Sequence, residues 1–322
     1  MPKLTLLVVA PPNARYLSLL DRLPDDTNIV VGNQIEIFKE AGPRADAIVN
    51  CINPGLPLEQ VWNLAPNVQW VHSMSAGIEG ILFPALVASP IPLTNGRGVF
   101  ARSLGEFALT SMLFFAKRIR EMVTNQAAGK WVDLTIEEIH GKTVGIVGYG
   151  ELGRAGAVRA HALGAKIHAL RRRPELNAED PIVKKSFSMD QLTEMLAGCD
   201  YVVCAAPLTN QTHGLIGEAE LRSMKKTGVI INIGRGPVIV ESALIKALQE
   251  GWIRGAALDV FEVEPLPPGH PFYELENVLL SPHCADHTPN WTEDAMEFFL
   301  QNFERFRSGQ RLLNVVDKSH GY

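Results

Sequence analysis

Residues 143–153 read Thr-Val-Gly-Ile-Val-Gly-Tyr-Gly-Glu-Leu-Gly, an apolar run that leads directly into the pattern G-x-G-x-x-G. The run predicts a buried strand, and the stretch 154–163 predicts a helix. In such a unit the first glycine permits a tight turn, the second lets a pyrophosphate approach the backbone, and the third permits close helix–strand packing. The free N–H groups of the helix N-terminus then face the phosphates. We therefore predict a dinucleotide-binding loop made of Gly148, Gly150, Glu151, Leu152 and Gly153.

The strand after the glycine loop indicates which dinucleotide is used. In an NAD-binding unit, an Asp or Glu about 20 residues beyond the glycines binds the ribose hydroxyls. Here the predicted strand 166–170 ends in Arg171, Arg172 and Arg173, and no carboxylate occupies that position. Guanidinium groups bind phosphate with two parallel hydrogen bonds, which suits the 2′-phosphate of NADPH. We therefore predict NADPH as the cofactor in preference to NADH.

Strand-like and helix-like stretches alternate along the chain, which is typical of α/β proteins with parallel sheets. The first group of predicted elements comprises strands at 4–10, 45–51 and 68–73 and a long helix at 102–124. The second group comprises six strands, at 143–147, 166–170, 201–205, 229–233, 255–258 and 277–280. A helix at 292–307 and a strand-like tail at 312–316 follow.

This order of elements predicts a two-domain α/β fold. A doubly wound Rossmann-type cofactor domain, at 101–286, is inserted into a smaller flavodoxin-like domain that binds the substrate. The smaller domain consists of residues 1–100 and 287–322.

Composition excludes several classes of protein. The chain has 322 residues, of which 46% are hydrophobic and 20% charged, so a packed core is expected. Its net charge of −5 argues against a general nucleic-acid-binding protein, which needs a basic surface. No apolar run reaches the roughly 20 residues that span a membrane, and the four cysteines form no C-x-x-C pattern. We expect a reduced, cytoplasmic protein that binds neither nucleic acid nor membrane.

Polar residues follow three of the later strands, where ligands of open α/β sheets bind. They are Arg235, Asp259 with Glu264, and His283. The chemistry that fits them is hydride transfer to a 2-oxo acid. Arg235 can hold the carboxylate, His283 can donate a proton to the carbonyl oxygen, and Glu264 can orient the imidazole and favour its charged form.

The chain resembles the D-2-hydroxyacid dehydrogenases, most closely the glyoxylate/hydroxypyruvate reductase branch. The resemblance is carried by LTNQTHGLI at 208–216, NIGRGPV at 232–238, LDVFEVEP at 258–265 and SPH at 281–283. It implies that Arg235, Glu264 and His283 are the catalytic residues and that the substrate is a small 2-oxo acid. It also implies cofactor contacts from Ala206, Pro207, Thr212, Ile233 and Asp259.

In the first hundred residues, the segment SMSAGIE at 73–79 resembles the substrate loop of the same branch. The resemblance implies substrate contacts from Ser75, Ala76 and Gly77, in addition to those from Arg235 and His283. A plain strand-to-helix turn is the alternative interpretation of the segment.

The resemblance also implies a homodimer. Trp131 then either reaches the partner subunit or is a buried aromatic side chain of the dimer interface. Where the family often has small residues and glycine after the catalytic histidine, this chain has Cys284, Ala285, Asp286 and His287. His283 and His287 stand four residues apart, but no third ligand lies at metal-like spacing, so we expect no metal.

Two alternative functions stay open. One is an enzyme like phosphoglycerate dehydrogenase that lacks the regulatory domain. The other is a dinucleotide-sensing binding protein with little turnover, since such proteins keep the same three residues. Formate dehydrogenases of similar fold carry a glutamine where this chain has Glu264, which argues against that activity.

The substitution Arg171→Asp tests the choice of cofactor. It removes a phosphate partner and adds a like charge, so we expect NADPH binding to weaken by about tenfold or more. NADH, which has no 2′-phosphate, should lose much less. Fluorescence titration gives the dissociation constants of NADPH and NADH for the wild type and the variant. An equal loss of affinity for the two cofactors would contradict the prediction.

Overall fold

The computed structural model describes residues 4–177 and 180–321. Residues 1–3 and 322, which fall in the predicted substrate-binding domain, lie outside the described residues, as do 178 and 179 of the predicted cofactor domain. The chain divides into two compact units. The first contains the residues up to Phe100 together with those from Thr288 onward, and the second spans Ala101–His287. Both contain parallel sheets with helices, which confirms the predicted α/β class.

The first unit contains a sheet of five parallel strands. They are β1 (Thr5–Val9), β2 (Asn28–Gly32), β3 (Ala47–Asn50), β4 (Trp70–Ser73) and β5 (Leu93–Asn95). The strand order is β2-β1-β3-β4-β5, which is the flavodoxin-like order. Three short helices belong to this part of the unit: α1 (Ile35–Phe38), α2 (Leu58–Trp62) and α3 (Pro84–Ala88).

Two strands of this sheet were not predicted. β2 is an edge strand with only three consecutive apolar residues, and most of its residues are half-buried. β5 has only three residues and is aligned by its pairing with β4. The predicted strand at 312–316 is not a strand, because only Val315 forms a bridge, to Thr94. Short segments of this kind depend on their neighbours for pairing, which the sequence does not display.

The second unit contains a sheet of seven parallel strands, one more than predicted. They are β6 (Thr143–Val147), β7 (Lys166–Leu170), β8 (Val183–Phe187), β9 (Tyr201–Cys204), β10 (Val229–Asn232), β11 (Gly255–Leu258) and β12 (Val278–Leu280). The order β12-β11-β10-β9-β6-β7-β8 is that of a doubly wound Rossmann sheet with a seventh strand added beyond the sixth. The unpredicted strand is β8, an edge strand whose Lys184 and Lys185 are exposed.

The helices of the second unit begin with α4 (Ala101–Ala116) and α5 (Ile119–Ala127), where one helix at 102–124 was predicted. The break falls at Arg118, whose φ of 55° is left-handed and ends the regular α-helix. The remaining helices are α6 (Glu151–Ala162), α7 (Leu192–Gly198), α8 (Glu218–Ser223) and α9 (Glu241–Gln249).

The last helix, α10 (Trp291–Arg307), returns to the first unit and packs its aromatic side chains against β4. Trp70 is wholly buried and stacks on Phe299, with ring centroids 5.5 Å apart. Its indole Nε1 donates to Thr94 Oγ1 over 2.8 Å, so the buried polar atom is satisfied. This packing joins the end of the chain to the sheet formed by its beginning.

Candidate active site

The glycine loop lies where β6 ends, against the end of β9. Gly148 has a φ of 92°, and a Cβ atom there would lie 2.6 Å from the backbone of Ala206. A Cβ on Gly153 would lie 2.3 Å from the carbonyl oxygen of Gly148. Only glycine permits both approaches, because real Cβ contacts are not this short. These two glycines are therefore required by the packing of the loop itself.

Gly150 differs from the other two glycines, because a Cβ there would meet no described atom within 4 Å. It is the N-cap of α6 and has no side chain with which to cap the helix. The first N–H groups of an α-helix have no partner within the helix, so they are available to an anion. The open space beside Gly150 and these N–H groups fit the pyrophosphate of a dinucleotide.

The arginine segment begins directly after β7, where Arg171 N donates to Phe187 O over 3.3 Å. Arg172 and Arg173 are exposed. All three follow the strand beside the glycine loop, at the position that binds the adenosine ribose in Rossmann units. The structure places the three arginines directly after β7, and their contact with a cofactor stays a prediction.

Asp180 holds the far end of this segment against the glycine loop. Its Oδ2 accepts hydrogen bonds from Tyr149 Oη at 3.0 Å and from Arg154 Nε at 2.6 Å. Burial opposes its ionisation, but these hydrogen bonds outweigh burial and hold the pKa of Asp180 below its usual value. No local pattern in the sequence indicates this contact, because Tyr149 and Asp180 are separated by a helix, a strand and a loop.

His283 and Glu264 form a hydrogen-bonded pair. His283 Nδ1 lies 2.6 Å from Glu264 Oε2, and since a carboxylate only accepts, Nδ1 carries the proton. The other carboxylate oxygen, Oε1, accepts from Phe261 N over 2.9 Å. Both oxygens of Glu264 are therefore committed, the imidazole is fixed in orientation, and its Nε2 atom is the one left to face a substrate.

The two pKa shifts of this pair favour its charged form. The hydrogen bond to Glu264 raises the pKa of His283 and outweighs partial burial, which acts in the opposite direction. Burial raises the pKa of Glu264, but the hydrogen bonds from His283 and Phe261 N outweigh it, and the net shift is downward. A protonated His283 beside an ionised Glu264 is thus stable to higher pH than a histidine in water.

Asp259 holds the segment that carries His283. It is 1% exposed, and its Oδ1 accepts from Ser281 Oγ at 2.5 Å, from Cys284 N at 3.0 Å and from Ala285 N at 3.1 Å. His283, between these donors, has a left-handed φ of 51°. A non-glycine residue is held in that region only by surrounding contacts, which Asp259 supplies here. The predicted cofactor contact of Asp259 stays a prediction, and its positioning of Ser281 was not foreseen.

Arg235 lies in a turn that packs against the Glu264 segment. Asn232 Nδ2 donates to Arg235 O over 3.0 Å, and a Cβ on Gly236 would lie 2.0 Å from the backbone of Phe261. The charge of Arg235 lowers the pKa of His283 slightly, against the larger effect of Glu264, so the guanidinium lies within electrostatic range of the imidazole. The structure therefore brings together the three residues that were predicted to be catalytic.

The other residues predicted to contact the cofactor follow β9 and β10, at the carboxyl ends of these strands. Ile233 N donates to Cys204 O over 3.0 Å, which joins the ends of β10 and β9. Thr212 Oγ1 donates to Pro207 O over 2.6 Å and closes the loop that follows Ala206. These contacts fix the loop after β9 beside the glycine loop, and the contacts with a cofactor stay predictions.

The predicted substrate loop belongs to the first unit, after β4. Asn95 Nδ2 donates to Ala76 O over 2.6 Å, and Gly96 N donates to Ser75 O over 3.0 Å. The loop is therefore held by the residues that follow β5. Its contact with substrate, including that of Gly77, stays a prediction.

Between residues 4 and 321, apart from 178 and 179, no group of three His, Cys, Asp or Glu side chains is arranged to hold a metal ion. In that same part of the chain no helix combines the length and the apolar character needed to cross a membrane.

The second unit combines a seven-stranded doubly wound sheet, an open glycine loop and a histidine–carboxylate pair. The loop and the pair both follow the carboxyl ends of strands. This combination defines a dinucleotide-dependent oxidoreductase. Residues 109–285 match the family described as D-isomer specific 2-hydroxyacid dehydrogenase, NAD binding domain. The chain belongs to this family, and the predicted resemblance is confirmed.

Curated relatives support the same branch of the family. The chain is 35% identical over 294 residues to a glyoxylate reductase of Thermococcus gammatolerans. The matched region covers 88% of this chain and 86% of the relative. It is 37% identical over 231 residues to a glyoxylate/hydroxypyruvate reductase B of Yersinia pestis, covering 70% of each. The protein is therefore a dehydrogenase or reductase of the glyoxylate/hydroxypyruvate reductase branch.

Solved structures show the same two-domain fold. An NADPH-dependent glyoxylate/hydroxypyruvate reductase from Sinorhizobium meliloti, in complex with NADP and sulfate, matches with a TM-score of 0.85 and 26% identity, over 99% of this chain and 100% of that one. A D-isomer specific 2-hydroxyacid dehydrogenase from Xanthobacter autotrophicus Py2, in complex with NADPH and MES, matches with a TM-score of 0.83 and 28% identity, over the same shares. The predicted Rossmann-type cofactor domain is confirmed.

Two alanine substitutions in the loop should separate cofactor binding from stability. Gly150→Ala places a methyl group in open space, so the free energy of unfolding should change by less than about 1 kcal/mol. The same methyl group occupies the space that a pyrophosphate needs, so cofactor affinity should fall by about tenfold or more. Gly153→Ala is the matched control, because its methyl group strikes Gly148 and should cost about 1–3 kcal/mol of stability.

Denaturant unfolding and cofactor titration of both variants test this difference. A Gly150→Ala protein that is stable and binds cofactor as tightly as the wild type would contradict the assignment of the loop.

Proposed function

We propose that this protein is an NADPH-preferring reductase that transfers a hydride to small 2-oxo acids, such as glyoxylate or hydroxypyruvate, and yields D-2-hydroxy acids. The observation that carries the proposal is the 2.6 Å pair of His283 Nδ1 and Glu264 Oε2, with Arg235 within electrostatic range. This set supplies a proton donor and a carboxylate clamp, which the reduction of a 2-oxo acid needs.

In the proposed reaction, Arg235 binds the substrate carboxylate and polarises the neighbouring carbonyl group through its planar guanidinium. A bound reduced nicotinamide supplies the hydride. As charge develops on the carbonyl oxygen, His283 donates the proton from Nε2 to it. Glu264 keeps Nδ1 protonated and holds the ring in place, so the imidazolium is stable before the transfer and the orientation is kept after it.

The preference for NADPH rests on the arginine segment. Three consecutive guanidinium groups follow β7, and Asp180 holds the far end of their segment at the glycine loop through Tyr149 and Arg154. A cationic group held at the ribose position favours a 2′-phosphate and leaves the free hydroxyls of NADH without an acceptor. Two of the similar structures contain NADPH or NADP, which supports the proposal.

The experiment that tests the function is an initial-rate assay of NADPH and NADH oxidation with glyoxylate, hydroxypyruvate, pyruvate and phenylpyruvate. We expect fast NADPH oxidation with the two small polar acids. Oxidation of 3-phosphoglycerate in the reverse direction would instead favour the enzyme that resembles phosphoglycerate dehydrogenase. Cofactor binding without turnover would favour the dinucleotide sensor.

The pH profile of reduction should report the pair of His283 and Glu264. Reduction requires the protonated imidazole, so kcat/KM should fall as pH rises through the pKa of His283. Since the hydrogen bond raises that pKa, the midpoint should lie above the usual value of about 6.5. In Glu264→Gln the neutral amide no longer stabilises the cation, so the midpoint should move to lower pH.

The control for this profile is Glu262→Gln, which removes an exposed carboxylate two residues away and should leave the midpoint unchanged. His283→Ala should lose about 10²–10⁴-fold in turnover, with cofactor binding retained. An unshifted midpoint in Glu264→Gln, or near-normal turnover in His283→Ala, would overturn the proposed roles.

We also propose that the protein is a homodimer formed through the stretch 119–136 of the second unit. Apolar side chains there are exposed: Val123 is 58% exposed, Val132 51% and Trp131 wholly exposed. Met122 and Ile136 add to the same exposed stretch. Exposed apolar side chains grouped along one stretch of chain are typical of protein–protein contacts, and Trp131 has the largest apolar area to bury there.

Trp131→Asp should therefore weaken self-association by about tenfold or more, because it removes a large apolar contact and adds a charge to it. Sedimentation velocity over a range of protein concentrations measures the shift. Tyr273→Asp, at an exposed aromatic side chain outside the stretch, is the control and should sediment as the wild type does. A monomeric wild type would contradict the proposal directly.

A further inference from the structure

The C-terminal tail forms a pocket in the first unit together with Arg305 of α10 and with Arg97, which follows the edge strand β5. The tail runs antiparallel to β5, where Asn95 N donates to Asn314 O over 3.3 Å and Val316 N donates to Leu93 O over 2.8 Å. The pocket has a volume of about 310 Å³, within the range of small-molecule sites. It is lined by Arg97, Arg305, Arg311 and the tail residues 312–315.

The backbone around the pocket is held in place by side-chain contacts. Asn314 has a left-handed φ of 52°, and its Nδ2 donates to Arg97 O over 2.7 Å. Arg305 Nε donates to Arg311 O over 2.7 Å, which ties the tail to the end of α10. The three arginines therefore line one cavity from the segment after β5, from α10 and from the tail.

No carboxylate of the described residues lies within ion-pair distance of these three arginines. Among residues 4–177 and 180–321, neither Arg97, Arg305 nor Arg311 forms an ion pair. Other arginines of the same unit do: Arg15 lies 2.8 Å from Glu293, and Arg307 lies 3.1 Å from Asp26. Within the described part of the first unit, the arginines without an ion pair are thus the three that line this pocket.

Placing three like charges around one cavity raises the electrostatic energy of the protein, and a bound anion lowers it. Each guanidinium offers a planar fork of donors that matches two oxygens of a phosphate or carboxylate group. A ligand with a single charge would compensate only one of the three arginines. The arrangement therefore favours an anion that carries several charges in a small volume.

We propose that this pocket binds a small anion with at least two negative charges, of the phosphate or polycarboxylate class. The site lies wholly within the first unit, whereas Arg235, His283 and Arg171 all belong to the second. The predicted substrate loop also belongs to the first unit, but Ser75, Ala76 and Gly77 do not line this pocket. The pocket is therefore a site additional to those proposed for the cofactor and the 2-oxo acid, and the proposal does not depend on the proposed reaction.

Isothermal titration calorimetry tests the proposal with the full chain and three probes: inorganic pyrophosphate, citrate and acetate. We expect one of the two multivalent anions to bind and acetate to bind far more weakly. Tighter binding of pyrophosphate assigns a phosphate ligand, and tighter binding of citrate assigns a polycarboxylate. Arg311→Gln and Arg97→Gln should each weaken that binding by about tenfold or more, since each removes charge-assisted hydrogen bonds.

Two controls separate the pocket from other basic sites. Arg15→Gln removes an arginine of the same unit that is paired with Glu293, and Arg171→Gln removes one from the cofactor segment. Neither should weaken binding at the proposed site. The proposal is overturned if no multivalent anion binds, if Arg311→Gln and Arg97→Gln bind as the wild type does, or if Arg171→Gln alone abolishes binding.

Discussion

The buried carboxylate of Asp259 is the contact on which the site depends most. One oxygen accepts three hydrogen bonds from residues 281, 284 and 285, and so fixes both sides of His283. Hydrogen bonds to a buried charged group are strong. Removal of the Asp259 side chain would leave its three donors without their acceptor. In this backbone position the imidazole meets Glu264, so the placement of the proposed proton donor depends on a carboxylate that is itself 1% exposed.

Close backbone approaches impose the second constraint. Gly148 lies against Ala206, Gly234 approaches the same residue, and Gly236 lies against Phe261. Each contact joins the loop after one strand to the loop after another, and each excludes a side chain. The carboxyl ends of the strands are thereby drawn into a single surface, on which the glycine loop, Arg235 and the His283 segment meet.

Charge is distributed unevenly in this acidic protein. Most of the surface ion pairs are exposed and contribute little to stability. Carboxylates are instead placed where they hold a functional group: Glu264 on His283, Asp259 on the segment around it, and Asp180 on the glycine loop. Among the described residues of the first unit, the arginines without an ion pair are those that line the tail pocket.

Sequence patterns predicted the strongly buried elements and missed the marginal ones. The apolar runs of β6, β9 and β10 are buried on both faces, so they are visible without any neighbour. β5 and β8 were missed because the first has three residues and the second has exposed lysines at its centre. The break between α4 and α5 was missed as well, since Arg118 is not a residue that commonly ends helices.

The sequence by itself determined the class of fold and the glycine loop, and it marked the arginine segment, Arg235, Glu264 and His283 as candidate site residues. Each of these is a local pattern, since a strand followed by a particular turn places a residue at a sheet edge whatever the rest of the chain does. Tertiary structure alone decided the contacts of Asp180 with Tyr149, of Asp259 with Ser281 and of the tail with β5. These join segments far apart in the chain, and their partners are set by how strands and helices pack, which no local pattern records.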